Sequence, residues 1–119
     1  MRIAHVDAET SFSGGELQVF LLMEGLRDRG HESLLVCPPG SAAAREASER
    51  GFAVERVAMR NDLDLGAVLA LRRALQRSAV DLVHLHTGRA TWLGALAARM
   101  AHLPALSTRR MDRRVRRGW

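Results

Sequence analysis

Apolar positions fall into two rhythms that take turns along the chain. Short, nearly continuous runs alternate with longer stretches in which apolar residues return at helical spacing. Arg2 to Asp7, with Ile3 and Val6, reads as a strand. Thr10-Ser11-Phe12-Ser13-Gly14-Gly15 is loop by composition. From Glu16 to Arg29, Leu17, Phe20, Leu21, Met23 and Leu26 mark a helix, and Gly30 suits its C-terminal end. Glu32 to Cys37 holds Leu34-Leu35-Val36, a buried-strand run closed by Pro38-Pro39-Gly40. Ser41 caps an alanine-rich helix to Arg50, with Gly51 as its stop. Phe52 to Met59 alternates around Val54 and Val57 as a third strand. Asn61 or Asp62 caps a helix to about Ser78, with Val68, Leu69, Leu71 and Leu75 inward and Arg72, Arg73 and Arg77 toward water. Asp81 to His86 is the fourth strand. Gly88 to Ala101 is a helix with Leu93, Leu96, Ala97 and Met100 on one side; Pro104 ends it, and Ala105 to Thr108 starts a fifth strand.

This β-α alternation predicts an α/β fold: a Rossmann-like parallel sheet with helices on both faces and strand order 3-2-1-4-5. The 119 residues amount to one small domain. Residues 1–111 read as that domain, incomplete, because the fifth strand runs into arginines with no helix to cover it; residues 112–119 read as a basic tail. The chain looks like a segment of something longer.

Charge sharpens the division. Every basic residue is Arg, and Met1 to Thr108 carries 12 arginines against 12 acidic residues. Arg109 to Trp119 carries six arginines and one aspartate, so the whole formal charge of +5 sits in the last 11 residues. The high isoelectric point therefore describes a tail, not a basic face. The single cysteine, Cys37, excludes an internal disulfide and a cysteine-cluster zinc site. No apolar run is long enough to span a bilayer, and the N-terminus turns acidic too soon for a signal peptide. The expected location is cytoplasmic.

In the expected wiring, strands one and four are neighbours whose connections leave in opposite directions, and ligands bind in the crevice at their C-terminal ends. Two sequences converge there. Ser13-Gly14-Gly15-Glu16 lies between strand one and helix one. Lacking Cβ atoms, Gly14 and Gly15 let a ligand approach the backbone, with the positive end of the helix dipole behind. A phosphate would suit the place, though neither a Walker loop nor a Gly-x-Gly-x-x-Gly fingerprint is present. The plainer use of the pair is to permit a tight turn. His84-Leu85-His86-Thr87-Gly88-Arg89 ends strand four. His84 and His86 point to one side of the sheet. His84 reads as a packed structural histidine. His86, at the strand tip, either caps a helix or hydrogen-bonds a polyhydroxylated or phosphorylated ligand. Two imidazoles are too few for a metal site, and neither His5 nor His102 has the spacing of a third ligand, so none is expected. Arg109 and Arg110 follow strand five at the same edge, where a guanidinium can grip a phosphate or remain solvated.

Several segments resemble glycosyltransferase family 4 in order and spacing. They are Met1-Arg2-Ile3-Ala4-His5-Val6, Ser13-Gly14-Gly15-Glu16-Leu17-Gln18, Gly25-Leu26-Arg27-Asp28-Arg29-Gly30-His31-Glu32, Asp81-Leu82-Val83-His84-Leu85-His86-Thr87, Leu93-Gly94-Ala95-Leu96-Ala97-Ala98-Arg99, Pro104 and Thr108-Arg109-Arg110-Met111-Asp112. The resemblance covers nearly the whole chain. It implies two Rossmann-like domains in the GT-B arrangement, of which this chain is most of the N-terminal, acceptor-side one. It implies that Gly14 and Gly15 line the cleft near the acceptor or the donor phosphates, that His86 contacts the transferred sugar, and that Arg109 lies near the acceptor or phosphate. It implies a retaining transfer from a nucleotide-sugar co-substrate to a glycan or lipid-linked acceptor, with no metal and no cofactor. The C-terminal domain that holds the nucleotide is missing from these residues, so by this resemblance they do not turn over alone.

Two other functions compete. A non-enzymatic flavodoxin-like binding or regulatory module fits the fold, but Asp7 stands alone at the end of strand one, without the acidic pocket of phosphoryl transfer. The arginine tail would give salt-dependent, non-specific nucleic-acid affinity. Base stacking lacks support, because Trp119 is the sole aromatic there. The same tail suits anionic lipid, which places the expected protein at the inner face of the membrane as a peripheral partner.

Overall fold

The computed structural model describes residues 1–8, 14–61, 63–86 and 88–107. Five strands and four helices alternate along the chain: β1 (Arg2–Val6), α1 (Gly14–Asp28), β2 (Glu32–Cys37), α2 (Ala42–Glu49), β3 (Ala53–Arg56), α3 (Leu65–Arg77), β4 (Leu82–Leu85), α4 (Gly88–Met100) and β5 (Ala105–Ser107). The strands form one sheet in the order β3-β2-β1-β4-β5, and every pair is parallel. This is the predicted wiring. A parallel pair needs a crossover, and each crossover here is one helix.

The two sheet faces bury different residues, because side chains alternate along a strand. Ala4, Val6, Leu34, Val36, Val83 and Leu85 face one way and pack under α3 and α4 with Val68, Leu71, Leu75, Leu93 and Ala97. Leu35 and Cys37 face the other way, against Val19, Phe20 and Met23 of α1 and Ala43, Ala44 and Ala47 of α2. β2 is thus largely apolar on both faces, as suits an interior parallel strand, whereas β1 and β4 carry His5 and His84 on the second face.

Local chemistry sets the helix ends. Ser41 accepts the backbone N–H of Ala44 at 3.1 Å and caps α2, as its sequence position predicts. For α3 the cap is Asp64, neither Asn61 nor Asp62; its carboxylate accepts the N–H of Ala67 at 3.1 Å and the helix begins at Leu65. Asn61 instead accepts the N–H of Leu63 at 2.9 Å, a local turn that delays the helix. The β3 strand is shorter than the alternation of Phe52 to Met59 suggests, since it pairs only with β2 over Ala53–Arg56. Leu69 and Met100 were expected inward but are exposed, as are Leu17 and Leu21 on α1. At β5 every residue is exposed, and Leu106 keeps 47% of its surface. No helix among the described residues is long and apolar enough to cross a membrane.

Candidate active site

The crevice forms where β1 and β4 lie side by side. Their connections diverge: α1 returns over the face that carries Leu35, and α4 over the face that carries Leu85. The C-terminal ends of the two strands are tied by the His86 N–H, which donates to the Val6 carbonyl at 3.0 Å. His86 therefore stands one step beyond β4, at the rim of the switch point, as predicted. It is 6% exposed.

Gly14 and Gly15 belong to the first turn of α1, not to the loop before it. Glycine at a helix start costs little, because the first backbone N–H groups have no intrahelical partner in any case. Those N–H groups are what an anion would meet. Arg109 lies outside the described residues, as do Ser13 and Thr87.

Strand register adds a residue that sequence spacing does not offer. His5 of β1 pairs directly with His84 of β4, so His5, His84 and His86 share one side of the sheet. The imidazoles form a compact group. Ring centroids are 4.0 Å apart for His84 and His86, 5.3 Å for His5 and His86, and 5.5 Å for His5 and His84. His5 Nδ1 lies 3.1 Å from His86 Nε2, a buried hydrogen bond whose proton belongs to one ring or the other. The other nitrogen of His5, Nε2, is buried and has no hydrogen-bond partner among the described residues.

Burial favours the neutral form of His5 and His84. Burial, and then the neighbouring His84, push His5 down from 6.5 to about 3. Burial also lowers His84. A neutral imidazole holds a lone pair for a proton or a ligand. Next in chain order, Asp7 is buried at 1% exposure just past β1. Its charge contributes to raising the Cys37 thiol, after burial itself, while the Ser41 hydrogen bond works the other way. On the opposite edge of the sheet, a cleft of about 220 Å³ is lined by residues including Arg2, Arg27, His31 and Phe52. It sits at the strands' N-terminal ends, away from the switch point, and lacks the crevice's helix starts.

A wound, all-parallel sheet with two helices starting at a β1–β4 crevice defines the class: a Rossmann-like α/β domain with its ligand site at the switch point. More narrowly, the chain belongs to glycosyltransferase family 4, whose family model matches residues 12–111. No curated protein sequence matches it. Solved structures share the fold at low identity. MurG of Acinetobacter baumannii superposes with a TM-score of 0.74 at 18% identity, over 89% of this chain and 34% of that one. HepE of Anabaena, solved with UDP-glucose, gives 0.73 at 22% identity, over 90% of this chain and 28% of that one. A glycosyltransferase of Rickettsia africae gives 0.71 at 17% identity, over 89% and 28%. The chain thus spans about a third or less of the length of these structures.

Proposed function

We propose that this chain is the N-terminal, acceptor-side half of a retaining GT-B glycosyltransferase. It moves a sugar from a nucleotide-sugar donor to a glycan or lipid-linked acceptor. The observation that carries this reading is the position of His86, held at the rim of the β1–β4 crevice by its own backbone bond to Val6. Family membership supports it, as does a fold shared with structures solved with UDP or UDP-glucose.

In this reading His86 hydrogen-bonds the transferred sugar. Its Nε2 is engaged by His5. The backbone at Gly14 and Gly15 receives the donor phosphates or the acceptor, using N–H groups that the helix leaves over. Arg109 adds a guanidinium near the acceptor or phosphate. Sugar transfer itself uses no metal and no cofactor. The transition state needs donor contacts from a second Rossmann-like domain. The 119 residues alone are therefore half a cleft and do not turn over. The arginines beyond Arg109 hold the enzyme against the anionic inner face of the membrane, in the cytoplasm.

The test uses the full-length protein and a panel of UDP-, GDP- and dTDP-sugars. Calorimetry should find one class bound, and His86→Ala should lower kcat about 10²–10³-fold while that nucleotide still binds. A wild-type rate in His86→Ala, or no binding across the panel, would overturn the proposal.

A further inference from the structure

We propose that His5, His84 and His86 form a binding site for one divalent transition-metal ion that prefers nitrogen ligands, such as Zn²⁺. The nearest ring nitrogens of the three side chains all lie within 4.8 Å of one another. They come from two strands in direct register, with two imidazoles at alternate positions of β4 and its extension and the third opposite on β1. A His-x-His strand completed by a neighbouring strand supplies three ligands and leaves a fourth position open, the pattern of three-histidine zinc sites.

The distances suit such an ion. Metal–nitrogen bonds of about 2.0–2.1 Å in a tetrahedron place ligand atoms roughly 3.3 Å apart. His5 Nδ1 and His86 Nε2 are already 3.1 Å apart, so an ion can replace the proton they share. The ring that carried the shared proton shifts it to its other nitrogen, so each ring holds one proton away from the ion and both stay neutral. The longest separation, 4.8 Å, must close by about 1.5 Å to reach a tetrahedral edge. The movement falls to the half-buried ring of His84.

An ion held by these three rings clips β1 to β4 beneath the crevice. Three neutral nitrogen donors select Zn²⁺, Co²⁺ or Ni²⁺ and reject Mg²⁺ and Ca²⁺, which take oxygen ligands. This ion is therefore distinct from one that would bridge a diphosphate, and the proposal stands independently of sugar transfer.

The experiment titrates Co²⁺ into full-length, tag-free, chelator-treated protein. The expected result is one equivalent of bound ion with the visible absorption of four-coordinate Co²⁺, displaced by Zn²⁺ and untouched by Mg²⁺. His84→Gln should weaken binding at least about tenfold, with unchanged far-ultraviolet circular dichroism. His31→Gln and His102→Gln should bind like wild type. Imidazole nitrogen NMR of the wild-type protein tests the same site without a variant: Zn²⁺ should shift His5 and His86. The proposal fails if no band appears, if His84→Gln binds as wild type does, or if only His31 or His102 shifts.

Discussion

Asp64 accepts backbone N–H groups from Arg60 at 3.2 Å and Ala67 at 3.1 Å, and those bonds hold its carboxyl below the usual 3.8. A folded-state pKa depressed in this way stabilises the fold above the unfolded value and loses that stabilisation as pH falls through the folded one. Wild type should therefore lose its margin over Asp64→Ala progressively as pH falls below about 4, measured by urea unfolding at each pH. The residue scale also shows where reading the sequence stops. His84 and His86 sit on one side of β4 because alternation is local, and that much is visible in His84-Leu85-His86. His5 joins them only through its pairing with His84. Register between strands so far apart in sequence is set by the packing of the whole sheet, which no local spacing encodes.

At the scale of elements, α4 lies close against the sheet at Gly94. A Cβ there would overlap Leu85 Cδ2 and touch Val6 Cγ1 at 3.8 Å. Leu85 and Val6 are both buried and cannot step aside cheaply. Gly94→Val should destabilise the protein by about 1–3 kcal/mol, read as a lower urea midpoint with an unchanged slope. Existence and order of all nine elements follow from apolar periodicity and from breakers such as Pro38, Gly51 and Pro104. Their ends follow from hydrogen bonds the periodicity does not contain. Gly14 and Gly15 are helical although their composition reads as loop, and the α3 cap moves to Asp64 because Asn61 spends its side chain on Leu63.

For the whole molecule, the layer under α3 and α4 is the larger of the two cores, and Leu71 lies fully buried within it. Leu71→Ala leaves a cavity between two helices and the sheet, and should cost about 2–5 kcal/mol in chemical denaturation. The layer under α1 and α2 covers β2 and β3. Leu106 and His84 are paired on β4 and β5, and there the same face is open enough to leave His84 half-buried. Of the three histidines, His84 is consequently the one most open to solvent.

The amino-acid sequence by itself determined the alternation of strands and helices, the strand order and the tip position of His86. Each depends on periodicity, on glycine and proline, and on the handedness of parallel crossovers, which act over a few residues or apply to every such fold. Tertiary structure alone decided that His5 faces His84 and that His5 loses its water. Those facts rest on register and burial, which are properties of many residues packed together.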